Sequence, residues 1–232
     1  MIYKKINLKH HYVALSISIF ILFFILEFTS IDFFIQNKFF DFSSNIFIAG
    51  NYPFIENYLH KGLKNVMYAA GFCAILWLYI QIKKSDDESL KNAYIAAILA
   101  TILGPLIVSI LKDFTNVQCP WSLTIYGGKF PYQSFIQAIS GPTTNARCFP
   151  AGHASGGFVW LSWAIIFWHT RPSLALAAAA FGSTMGLLMG ISRMMQGAHF
   201  LSHTFATLLV IWLVTLLCIQ AVRFFRIKQD WR

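Results

Sequence analysis

The sequence predicts an all-α polytopic membrane protein: six transmembrane helices in a single membrane-integral domain over residues 1–232, with the functional residues at the outer membrane face. Three observations predict this. Apolar residues make up 57% of the chain and charged ones 12%, whereas soluble domains carry about 25% charge. Six apolar runs approach the length that crosses hydrocarbon as a helix. Histidines and cations gather where several of those runs end.

The runs cover roughly residues 12–30, 62–82, 92–111, 154–169, 173–191 and 203–224. The first follows Lys4, Lys5 and Lys9 as a signal peptide would, but no small-residue cleavage site succeeds Glu27, Phe28 and Thr29, so it reads as a retained span. Net charge is +9, yet the cations are scattered and form no stripe interleaved with aromatics, which argues against a nucleic-acid partner. Membrane orientation accounts for them better. With both termini inside, the inner segments hold Lys4, Lys5, Lys9, Lys83, Lys84, Lys91, Arg171, Arg223, Arg226, Lys228 and Arg232. The longer outer loops hold fewer: Lys38, Lys61, Lys64, Lys112, Lys129, Arg147 and Arg193. The expected location is the cytoplasmic (inner) membrane, with the loops after the third and fifth spans facing the periplasm or exterior.

Smaller signals refine the elements. Ser85 with Asp86, Asp87 and Glu88 reads as a capping box that opens the third helix. Gly104 and Pro105 predict a kink within it. Ala178, Gly182, Gly186 and Gly190 recur every four residues on the fifth span, a small-residue stripe suited to close helix packing. Cys73 and Cys218 fall inside apolar runs as small hydrophobes.

On the outer side lie His60, His153, His199 and His203. Arg147 and Gly152 lead into His153 at the start of the fourth span; Ser192 and Arg193 precede His199 before the sixth; Lys112 closes the third. Singly, each of these has a bland reading as an interfacial side chain. Together they describe an anion site, since cations beside helix N-termini favour negative charge and Gly152 would let a phosphate oxygen approach the backbone. Two histidines there suggest covalent phosphoryl transfer, one imidazole attacking and the other protonating the leaving oxygen. No metal or cofactor is needed, and Asp32, Asp41, Glu56 and Asp113 are too few for a magnesium cluster.

These residues fall into three blocks: Lys112 to Cys119-Pro120, then Pro150-Ala151-Gly152-His153, then Ser192-Arg193 to His199 and His203. In order and spacing the blocks resemble the signature of the type 2 phosphatidic acid phosphatase superfamily, from the third helix to the end of the chain. The resemblance implies His199 as the nucleophile that forms a phosphohistidine and His153 as the general acid. It also implies Lys112, Arg193 and the Gly152 backbone as phosphate ligands, with Ser192 in support. Three positions depart from the signature: Cys119 replaces an arginine, Ala151 a serine, and His203 the aspartate that orients the nucleophile. His203, four residues beyond His199, is expected to accept the hydrogen bond in place of that aspartate. Arg147 is the candidate substitute for the lost arginine. Cys119 and Cys148 bracket the long outer loop in an oxidising compartment and are the candidate disulfide, closing a loop worth about 3.5 kcal/mol in the chain-entropy model.

The implied activity is a metal-independent phosphatase acting on a lipid phosphomonoester or pyrophosphate, such as a polyprenyl pyrophosphate, phosphatidylglycerol phosphate or a lipid A phosphate, at the outer leaflet. No obligate protein partner is evident. Trp121, Tyr126, Phe130 and Tyr132 are candidates for an interfacial belt. Alternatives are a lipid-to-lipid phosphotransferase, a non-catalytic binder of lipid phosphates, and a metal or haem protein built on the His199-x3-His203 pair.

Overall fold

In the computed structural model, which describes residues 8–50 and 52–229, all six apolar runs are helical. Lys4, Lys5 and Arg232 lie outside the described residues, as do the side chains of Lys9, Glu56, His60 and Lys228. The helices are α1 (Leu8–Phe28), α2 (Ile31–Gln36), α3 (Leu63–Lys84), α4 (Glu88–Phe114), α5 (Phe135–Ser140), α6 (Gly152–Phe167), α7 (Pro172–Met195) and α8 (Leu201–Gln229). A small antiparallel hairpin, β1 (Phe40–Asp41) and β2 (Ile46–Phe47), pairs Phe40 with Phe47 and Asp41 with Ile46.

Among the described residues, α3, α4, α7 and most of α8 are each long and apolar enough to cross a membrane. A fifth candidate comes from joining α1 to α2, which continues to Phe39 after a bend of 75°. α6 differs from the expected full-length span: 16 residues at about 1.5 Å each reach ~24 Å, short of a bilayer core of about 30 Å.

α6 is nevertheless the centre of the bundle, with ten residues buried against α3, α4, α7 and α8. Its polar groups bond to neighbours: Ser162 shares a 2.7 Å hydrogen bond with Thr215 of α8, and the Trp163 indole donates to Thr101 of α4 at 3.0 Å. Such bonds fasten helices where apolar lipid gives no driving force for association. The small-residue stripe packs as its spacing implies. A β-carbon on Gly182 would lie 2.9 Å from the Leu161 nitrogen and one on Gly186 2.1 Å from the Phe158 ring, both in α6, while one on Gly190 would meet Thr204 of α8 at 2.6 Å.

The expected capping box at α4 is replaced by a single cap. Asp87, not Ser85, accepts from the N–H groups of Ser89 (2.7 Å) and Leu90 (3.3 Å), because Ser85 is still finishing α3. α4 runs on through Pro105, and Gly104 admits the Ile211 side chain of α8. At the same end of the bundle Glu88 pairs with Lys91 (2.7 Å) and with Arg226 of α8 (3.2 Å).

At the opposite end, the segment between α1 and α3 folds over the connection between α7 and α8. The Gln36 side chain donates to the Met194 carbonyl at 2.8 Å, and the Ala49 N–H to Met195 at 3.1 Å. The buried Asp32 carboxylate accepts from the Ser202 N–H at 3.0 Å, at the positive end of α8. Phe40, Phe47, Leu123, Tyr126 and Phe200 form one buried cluster that joins this segment to the long loop after α4. Tyr126 is therefore a core residue donating to Asn37 at 2.8 Å, not a belt residue. Three hydrogen bonds from Ser43 and Ser44 hold the exposed Asp41 carboxyl down to about 2.

Candidate active site

Three segments meet beneath this cover: the end of α4 and its following loop, the loop leading into α6, and the turn between α7 and α8. Between them lies a cavity of about 540 Å³, open on one side, lined by Lys112, Arg147, Gly152, His153, Arg193 and His199. Its other walls are mostly apolar, including Met67, Phe72 and Ile75 of α3 and Ile102 and Pro105 of α4.

Lys112, in the last turn of α4, leans over the first residue of α6; a β-carbon on Gly152 would lie 3.4 Å from its Nζ. Arg193, in the last turn of α7, donates to the buried Gln196 side chain, and its guanidinium lies over the Trp121 ring at 5.6 Å. Trp121 thus holds a residue of the cavity, a contact that no spacing in the sequence announced. Arg147 stands at the rim, largely exposed and ion-paired with Asp113, between this cavity and a second one of about 400 Å³. Ser192 does not line the cavity; it is buried, and its hydroxyl donates to the Met189 carbonyl at 3.0 Å.

His199 is 4% exposed, and its Nδ1 lies 2.7 Å from the Cys148 carbonyl oxygen. A carbonyl can only accept, so Nδ1 carries the proton and Nε2 keeps its lone pair. Burial, then the neighbouring His203, Lys112 and Arg193, push this imidazole well below the ordinary histidine range. That direction favours the neutral imidazole, the form a nitrogen nucleophile requires.

The expected partnership of His199 with His203 is corrected here. The orienting acceptor is the Cys148 carbonyl, while His203 packs with its ring centroid 5.7 Å from that of His199 and edge-on to Phe149 and Phe200. The Nδ1 of His203 has no hydrogen-bond partner within bonding geometry, although this ring too lies near the Cys148 backbone.

Cys148 is itself disulfide-bonded to Cys119, with the Cα atoms 5.2 Å apart. The residues that follow are fastened in turn: Thr115 donates to the Phe149 carbonyl, the Ala151 N–H donates to His203 at 3.1 Å, and Thr207 donates to the Ala151 carbonyl at 3.0 Å. The Phe149–Pro150 peptide is cis.

The sequence pattern of the PAP2 superfamily matches residues 93–227, more than half of the chain, from the first turns of α4 almost to the end of α8. The chain belongs to the PAP2 superfamily. All three segments around the cavity lie within the matched region of this PAP2 protein. No curated protein and no solved structure matches the chain. PAP2 membership is consistent with a histidine-based, metal-independent phosphatase mechanism in general, carried by a multi-span helical protein.

Proposed function

We propose that this PAP2 protein is a metal-independent phosphatase that cleaves a lipid phosphomonoester or pyrophosphate at the outer leaflet of the cytoplasmic membrane. The observation that carries this reading is the pairing of His199 with the Cys148 carbonyl, which leaves a neutral Nε2 in a cavity that also holds Lys112, Arg193, Gly152 and His153.

In this reading the phosphate enters between Lys112, Arg193 and the N-terminus of α6, where cations and the helix dipole favour an anion. Nε2 of His199 attacks phosphorus, the bond to the lipid oxygen breaks, and His153 protonates that oxygen as it leaves. Water then attacks the phosphohistidine, the P–N bond breaks with its electron pair returning to Nε2, and His153 takes the proton from the water. The products are inorganic phosphate and the lipid alcohol from a phosphomonoester, or inorganic phosphate and the lipid monophosphate from a pyrophosphate. A loose phosphoryl-transfer transition state asks mainly for positioning and positive charge.

The apolar walls from α3 and α4 suit a hydrocarbon chain reaching the site from the bilayer. The proposal includes six crossings, with α6 as a short central span shielded from lipid by its neighbours, and places the cavity outside. The excess of Lys and Arg at the end where Glu88 meets Arg226 supports that orientation.

The test is phosphate release by detergent-solubilised protein from a panel of lipid phosphates in EDTA, beside His199→Ala. Release that persists in EDTA and disappears in the variant is expected. Release that requires a divalent metal, or survives in the variant, contradicts the reading. Transfer of the phosphoryl group to a second lipid would identify a phosphotransferase instead.

A further inference from the structure

The acceptor for His199 is a backbone carbonyl, and a carbonyl is only as well placed as the chain that bears it. Among the described residues the carboxylates near this end of the bundle are otherwise engaged: Asp32 with Ser202, Glu27 with the Phe135 N–H at 2.7 Å, and Asp113 with Arg147. The next imidazole, His203, makes no hydrogen bond through its Nδ1. The orientation and tautomer of His199 therefore rest on where Cys148 is held.

Cys148 is held in a closed circuit. Its sulfur is bonded to Cys119; two residues on, the Trp121 N–H donates to the Gly197 carbonyl at 2.9 Å; two residues beyond Gly197, His199 donates to the Cys148 carbonyl at 2.7 Å. The circuit links the loop after α4, the approach to α6 and the turn before α8. The disulfide is its one covalent closure. Hydrogen bonds join the same two segments beside the disulfide: the Cys148 N–H donates to the Val117 carbonyl at 3.2 Å, Thr115 donates to the Phe149 carbonyl, and the Thr144 N–H donates to the Asn116 side chain at 2.7 Å; of these only the first is made by Cys148 itself.

We infer that the Cys119–Cys148 disulfide is a positioning element for the nucleophile: it fixes the Cys148 carbonyl that selects the Nδ1–H form of His199, so that phosphoryl transfer depends on the oxidised pair. This rests on the phosphatase reading for its effect on turnover, but not for its effect on the imidazole. Opening the circuit leaves Lys112, Arg193 and Gly152 on their helices, so binding of phosphate persists while the attacking nitrogen is no longer defined. Cys119 is half-buried, which gives a small dithiol access to the pair.

The experiment compares oxidised protein with protein reduced by dithiothreitol, in EDTA. Two electrons and two protons pass to the cystine, giving two thiols, while dithiothreitol closes to its cyclic disulfide. Alkylation and mass spectrometry distinguish Cys119 and Cys148 from the free Cys73 and Cys218. The expected result is a fall in kcat of at least about tenfold with KM and inhibition by inorganic phosphate within about twofold, reversed on reoxidation. Cys119→Ala/Cys148→Ala should show the lowered kcat without responding to dithiothreitol.

A second readout needs no turnover. In protein labelled with 15N-histidine, the His199 signals, identified by their loss in His199→Gln, should report a single Nδ1–H tautomer when oxidised and a mixture when reduced. Reduced protein that keeps its kcat, loses only KM, or retains the single tautomer would overturn the inference. Should oxidised protein release no phosphate from any lipid, the phosphatase reading fails, and the imidazole signals alone decide the role of the disulfide.

Discussion

Lys112 lies across the start of α6 so closely that a β-carbon on Gly152 would sit 3.2 Å from its Cδ and 3.4 Å from its Nζ. At that distance the lysine must give by a few tenths of an ångström to stand beside a larger residue. Gly152→Ala should displace the ammonium and narrow the approach to the first-turn N–H groups. The expected outcome is a loss of about tenfold or more in kcat/KM, larger than its effect on unfolding temperature in detergent. An unchanged kcat/KM would separate Lys112 from phosphate binding.

The two arginines of the cavity should behave differently. Arg193 is half-buried, fixed by Gln196 and Trp121, whereas Arg147 is exposed and already paired with Asp113. Arg193→Ala is expected to lower kcat/KM by about 10²–10³, as for loss of one transition-state donor, and Arg147→Ala by less than about tenfold. Equal losses would promote Arg147 to a full phosphate ligand in place of the arginine that Cys119 replaces.

Acid should spare the proposed nucleophile, His199. A folded-state value pushed well below that of free histidine means that His199 stays unprotonated as pH falls through about 6.5. The acid limb of kcat/KM belonging to His199 should therefore lie below pH 6.5, and a steady-state pH profile checks it. The same shift makes the fold acid-sensitive: below about 6.5 the unfolded histidine takes up a proton that the folded one refuses, so stability declines as pH falls.

Close approach of α6 and α7 can be tested at Gly157, where a β-carbon would lie 2.2 Å from the Gly186 nitrogen. Backbone faces backbone there, so no side chain can yield. Gly157→Ala should destabilise by at least the ~1–3 kcal/mol typical of overpacking, read as a lower unfolding temperature in detergent. A neutral result would require the helices to be further apart.

Much of this architecture is legible in apolar runs, because a helix in lipid must satisfy its own backbone and so declares itself by length and composition. Residues 173–191 became Pro172–Met195, and the spacing of Gly182, Gly186 and Gly190 correctly marked a packed face. Lys112, His153, Arg193 and His199 could be assigned to one end from topology, and the cavity holds all four. What escaped was set by contacts without a residue-type signature. Any residue carries a carbonyl, so nothing in the letters pointed to Cys148 as the partner of His199, and the more conspicuous His203 drew the assignment instead. Asp87 displaced Ser85 as the cap because α3 ends later than its apolar run does. The reach of Asp32 to Ser202 spans 170 positions and has no local trace.

Residues 29–50 precede the region matched to the PAP2 superfamily, yet they brace the turn that bears His199, through Gln36, Ala49 and the Phe47 ring beneath which Gly197 fits. The brace is synthesised before the turn it supports, since α2 and the hairpin precede α7 and α8 along the chain. A ribosome feeding the membrane from the N-terminus therefore delivers the cover before the turn that bears His199, and the surroundings of that imidazole are complete only when α8 docks. In a nascent chain, the cover waits for the site that it will enclose.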